Sequence, residues 1–176
     1  MRFILLALFT LFSSLVFAKD DISTFHRLLI LNEKNELLMA KIEDKDFWVT
    51  PGWYQDKELT VPHGSNKLAS DFGLTVSSPK LKGVFTLKNQ EGEIFSIRNF
   101  YVVKVESGKL QTPKMIDKVE WMAIDDALEK LTFPHIRILS QQIFDHPNQV
   151  WGGSIRRFKS GDEYKAKLEG GFYPLI

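Results

Sequence analysis

The sequence predicts a single α+β domain, and three observations lead there. Short apolar runs rich in β-branched and aromatic residues are separated by polar, turn-forming clusters, as in strands joined by tight connections. A few longer stretches instead carry apolar residues at helical spacing and are bounded by proline and glycine. The chain, at 176 residues, is long enough for one hydrophobic core and short for two.

Before the first strand, the opening MRFILLALFTLFSSLVFA has a basic residue, an apolar run and a small-residue ending. That is the pattern of a secretory signal peptide cut before Lys19, with Val16 and Ala18 at the recognition positions. The run from Phe3 to Phe17 is shorter than the roughly 20 residues that span a bilayer, so no stable membrane anchor is expected after cleavage. The mature chain, residues 19–176, is then exported to a periplasmic or secreted location. Of the 23 basic residues only Arg2 lies in the removed segment, so bases and acids balance in the remainder. This neutrality gives no electrostatic basis for nucleic-acid binding. The absence of cysteine removes disulfides and any lipid-modified anchor, leaving packing to hold the fold.

HRLLILNEKNELLMAKI, residues 26–42, reads as two strands around a polar NEKNE turn. A solvated charge run from Glu43 to Asp46 follows, then Phe47, Trp48 and Val49 lead into a sharp Pro51-Gly52 turn. A helix is predicted over 62–72, with proline in its first turn and Gly73 as a left-handed C-terminal cap. Leu68 and Phe72 give it an apolar side, while Lys67, Ser70 and Asp71 share another face. Strands are predicted over 81–87 and 94–105, joined through Gly92, and over 118–124. Asp125 is the predicted N-cap of a helix over 126–131, and a last helix spans 135–144. The end, residues 146–176, is glycine-rich and aromatic, and no regular structure is assigned to it. It either packs back to complete the core or covers a binding cleft.

The stretch PGWYQDKELTVPHGSNKLASDFGL carries the chemistry. Gly52, five residues, Glu58, seven residues, and then NKLASDFGL resembles the motif of the Nudix hydrolases: Gly, five residues, Glu, seven residues, Arg-Glu-aliphatic-any-Glu-Glu-any-Gly-aliphatic. Gly52, Glu58, Leu68, Gly73 and Leu74 match in register, and Asp71 is an acidic near-match. FWVTPG before the motif, and Val119-Glu120-Trp121 followed by Asp125, Asp126 and TFPH after it, add to a resemblance covering roughly residues 27–144. It implies a Nudix-type α/β/α sandwich around a mixed β-sheet. It also implies acidic ligands for a divalent cation, usually magnesium, set against a substrate diphosphate.

The charges depart from that pattern. The three family glutamates correspond here to Lys67, Ser70 and Asp71, the family arginine to Asn66, and a common second glycine to Trp53. The box is degenerate, and three readings of its helix face stand side by side. In one, Lys67 and Asp71 are only a surface pair. In the second, Lys67 with Arg98 binds a phosphorylated or nucleotide-like small molecule. In the third, Glu58 and Asp71, helped by Glu120 or the tail, are catalytic carboxylates and weak Mg2+ or Mn2+ ligands in an active hydrolase of nucleoside-diphosphate-linked substrates. The expectation is a binding module with weak or absent pyrophosphohydrolase activity. His63 is a candidate general base or a solvent-facing residue, and Arg156-Arg157 either binds phosphate or keeps the tail soluble.

Overall fold

The computed structural model describes residues 21–176; the predicted signal peptide lies outside the described residues. Strands β1 (Ser23–Leu31) and β2 (Leu37–Ile42) form the first predicted hairpin. They diverge at once, the only paired residues being Leu31 and Leu37 beside the turn. Into the opening fall the short strands β3 (Trp48–Val49), which pairs with β2, and β4 (Gly52–Tyr54), which pairs with β1. Helix α1 (Val61–Asp71) follows where the proline and Gly73 place it, and Gly73 has the left-handed φ of +74° that its capping role requires.

Strand β5 (Leu74–Val76) leads to the long pair β6 (Lys80–Lys88) and β7 (Ile94–Gly108), then β8 (Ile116–Met122) pairs with β2. Helix α2 (Ile124–Lys130) begins two residues earlier than predicted: Ala123 is its N-cap, and Asp125 sits inside the first turn with Asp126. Both carboxylates still meet the positive end of the helix, which explains their placement without a capping bond. Helix α3 (Pro134–Asp145) then crosses the sheet.

The largest departure from the sequence reading is the chain end. Residues left without regular structure form a hairpin, β9 (Trp151–Ser160) and β10 (Glu163–Pro174), and β9 joins the sheet parallel to β6. The order across the sheet is β10-β9-β6-β7-β1-β2-β3, with parallel β1–β7 and β6–β9 pairs making it mixed.

Alternation along the strands splits the core in two. Leu29, Phe100, Phe85, Leu87 and Ile155 face α2 and α3, where Leu128, Ile136, Leu139 and Ile143 meet them. Leu28, Ile30, Tyr101 and Val103 face the other way onto Ala69 and Phe72 of α1. The predicted α/β/α sandwich is therefore present, with the tail contributing Ile155 to its core. Among the described residues no helix is long and apolar enough to cross a membrane.

Candidate functional site

Because β1 and β2 part after one residue pair, the sheet has an opening between them, and a cavity of about 510 Å³ occupies it. Its walls come from both sides of the sheet: Leu68, Asp71 and Phe72 of α1, Thr50 to Gly52 of the β3–β4 turn, and Phe133, His135 and Ile136 at the start of α3. Gly52 is required here by close approach. A Cβ on it would lie 2.5 Å from the Phe25 ring and 2.6 Å from the His26 carbonyl oxygen.

The charge in this cavity is cationic. Arg27, Arg98, Arg157 and Lys114 line it, and Asp71 is the one carboxylate that does. Arg27 and Arg98 sit on neighbouring parallel strands in a checkerboard with phenylalanines, since Arg27 pairs with Phe100 and Phe25 with Arg98. Both guanidinium groups lie against the same Phe25 ring, at 5.0 and 4.6 Å from its centroid. Arg27 donates through Nη1 to the Thr50 carbonyl at 2.5 Å and to its hydroxyl at 3.0 Å. Arg98 also lies over Tyr54, and its Nε is buried without a partner. The two side chains are 7% and 6% exposed, yet no ion pair among the described residues involves either.

Unpaired buried cations are costly, and the acid–base behaviour reflects it. Burial, with Arg98 adding its repulsion, pushes Arg27 down to about 9. Burial lowers Arg98 as well, offset in part by Tyr54. Both remain charged at neutral pH. His135 beside them is held down to about 3, first by burial and then by Arg27, Arg157 and Arg98.

This depression has a sign that can be checked. The unfolded chain binds a proton at His135 near its ordinary value of 6.5, while the folded chain refuses it until about pH 3. The stability contribution is full above pH 6.5 and is lost as pH falls toward 3, at up to about 1.4 kcal/mol per pH unit. The loss between pH 7 and pH 5, read from urea unfolding, should be smaller in His135→Asn than in the parent by on the order of 2 kcal/mol. Equal losses would remove His135 as the titrating group.

The residues singled out by the motif divide differently from expectation. Gly52, Leu68, Gly73 and Leu74 hold the turn, helix and following strand in place. Asp71 and Arg98 reach the cavity. Glu58 and Lys67 do not line it: both are exposed, Glu58 in the loop before α1, where its backbone N–H donates to the Asp56 carboxylate at 2.9 Å. Nor do Lys67 and Asp71 form the surface pair that their spacing allows, since no ion pair joins them. Glu120 is turned to other work, bridging Lys118 and Lys130. His63 is exposed.

A hard divalent cation needs several converging oxygens, and no group of three or more His, Cys, Asp or Glu side chains converges among the described residues. One carboxylate among four cationic side chains does not fit such an ion. It fits an anion. Arg27, Lys114, Tyr54 and His135 were missed as site residues from sequence, and Arg157 was left open. Arg27 carried a readable signal: a charge set directly before the apolar run LLIL of the same strand.

Trp53, in the place of the family's second glycine, is accommodated by a different glycine. Its indole lies under α1, stacked on His26 at 4.8 Å, and a Cβ at Gly64 would stand 2.6 Å from the ring. Gly64→Leu should therefore overpack this contact by about 1–3 kcal/mol, outweighing a helix-propensity gain of about 0.8 kcal/mol. Adding Trp53→Ala should recover much of the loss, and strictly additive losses in chemical denaturation would refute the pairing.

No family model matches the sequence, and no curated relative matches it either. Solved structures do. A MutT protein from Bacillus halodurans is similar with 18% identity, 85% of this chain and 99% of that one covered, and a TM-score of 0.63. A Nudix hydrolase from Nitrosomonas europaea follows at 14% identity, 78% and 81% coverage and TM-score 0.65. An ADP-ribose pyrophosphatase from Streptococcus suis is similar at 15% identity, 77% and 98% coverage and TM-score 0.55. On these likenesses, the layered sheet with its open β1–β2 hairpin is the fold of the Nudix hydrolases.

Proposed function

We propose that this protein binds a phosphorylated, nucleotide-like small molecule through guanidinium groups and does so without a metal ion. One observation carries the reading: Arg27 and Arg98, both buried and neither paired with a carboxylate among the described residues, converge on a cavity large enough for a small molecule. Guanidinium groups match phosphate oxygens in pairs, and an incoming phosphate would supply the countercharge that the empty fold lacks. Phe25, Tyr54 and Phe133 add flat apolar surface on which a ring can rest. The solved structures lend general support, since one is named an ADP-ribose pyrophosphatase and another a UDP-X diphosphatase.

The competing reading is a metal-dependent hydrolase of nucleoside-diphosphate-linked substrates, for which Asp71 at the cavity wall is the remaining argument. Glu58, exposed and not among the residues that line the cavity, weighs against it. Calorimetric titration with ADP and with inorganic phosphate separates the two. Binding should persist unchanged in EDTA, and no phosphate should be released with Mg2+ or Mn2+. Metal-dependent turnover lost in Asp71→Ala would overturn the binding-module reading. We also propose, from the basic and apolar N-terminal run, that the mature protein is exported, with an N-terminus at Lys19 that sequencing of the exported chain would reveal.

A further inference from the structure

A second cavity, of about 480 Å³, lies against the first and shares Phe133, His135 and Arg157 with it. Its remaining walls come from the terminal hairpin and the β6–β7 turn, including Lys159, Tyr164 and Asn89. Strand geometry fixes how the cations are arranged. Ile155 faces the α3 side of the sheet, so Arg157 and Lys159, two and four residues on, lie on that same side. Arg27 and Arg98 are on it too, because Leu29 and Phe100 are. The four side chains make a row that runs from β1 to β7, passes over β6, and continues along β9, with Arg157 shared by the two cavities. Along a strand, alternate residues stand about 7 Å apart.

The cations beside the row differ from those in it. Arg156, next in sequence, is neutralised by Glu169, which also holds Lys88, and Lys165 is paired with Glu163. Arg157 and Lys159 have no carboxylate partner among the described residues. Instead they rest on rings, Arg157 at 4.5 Å from Phe95 and Lys159 at 5.0 Å from Tyr164. Such contacts hold a cation in place and leave its outer face free for an anion. Glu91 is the single acid in the second cavity, and it sits on the exposed turn.

We infer that the two cavities form one elongated site for a ligand with two separated anionic groups, the first bound by Arg27 and Arg98, the second by Lys159, with Arg157 between them. This rests on the phosphate-binding reading and names the ligand class it serves. A molecule with a single phosphate fills half of the row. Joining two phosphates by a spacer makes the second contact intramolecular, so affinity rises only when the spacer spans the gap.

The experiment is calorimetric titration with inorganic phosphate and with short and long α,ω-alkane bisphosphates. The long bisphosphates should bind at least about tenfold more tightly than phosphate, and the shortest should gain little. Lys159→Glu should erase that gain while leaving phosphate affinity unaltered. Circular dichroism and unfolding of the variant control for loss of fold, and Lys159→Gln, with no reversed charge, should give an intermediate result. If phosphate binds through Arg98 but the bisphosphates bind no better, or Lys159→Glu changes nothing, the elongated site is wrong and the single-phosphate site stands. If neither phosphate nor any bisphosphate binds, both readings fall.

Discussion

Replacing Arg98 with methionine should weaken ligand binding sharply and at the same time raise the melting temperature of the ligand-free protein. Methionine keeps the apolar stem against Phe25 and Tyr54 and removes a buried charge that has no carboxylate partner among the described residues. The relief of desolvation and of repulsion with Arg27 outweighs the lost ring contacts, giving about 1 kcal/mol, or about 3 °C for a chain of this length. Phosphate affinity should fall roughly 10- to 100-fold, the cost of losing charge-assisted bonds. Scanning calorimetry with and without phosphate reads both effects. A lower melting temperature in the empty variant, with the phosphate-induced shift retained, would show that Arg98 is there for structure. The prediction is sharp because the two effects run in opposite directions, as expected for a residue whose burial serves a ligand.

Deleting residues 150–176 should destroy cooperative folding altogether. The hairpin they form is no appendage: β9 is an interior strand, hydrogen-bonded to β10 on one side and β6 on the other. Ile155 is fully buried, and Ala166 and Phe172 pack on the same core cluster. Without them the β6 edge, with Phe85 and Leu87, opens to water. The truncated chain should show no sigmoidal urea transition and should bind a hydrophobic dye, whereas Ile155→Ala in the full chain should cost about 2–5 kcal/mol and stay cooperative. A truncated chain with parent-like stability would mean that the sheet ends at β6.

The terminal hairpin and Arg27 were the parts least legible in the sequence, and for a related reason. Elsewhere each residue choice agreed with its neighbours: the NEKNE turn between apolar runs, proline at the start of α1 and Gly73 at its end could be read directly, and the register of Gly52, Leu68, Gly73 and Leu74 pointed to the sandwich. In β9 the inward positions after Ile155 are Arg157 and Lys159, so the alternation expected of a buried strand is broken by cations. Its beginning is a Gly152-Gly153 pair, which reads as a loop. The structure shows why it is not one: a Cβ at Gly152 would stand 2.3 Å from the Tyr173 ring of the adjoining strand. The same effect hid Arg27 in β1. The motif misled in the other direction, since its spacing identified the helix but its charged positions were read as the site. Among the described residues, the cations at the cavity lie mainly on the sheet.

The position of the terminal hairpin also gives the protein a calendar. During synthesis every strand up to β8 is available before β9 exists, so β6 cannot acquire its outer neighbour until residues 151–160 have been made. Arg157, which joins the two cavities, arrives with that same segment. Closure of the sheet and completion of the binding row are thus one event, and it waits for β9.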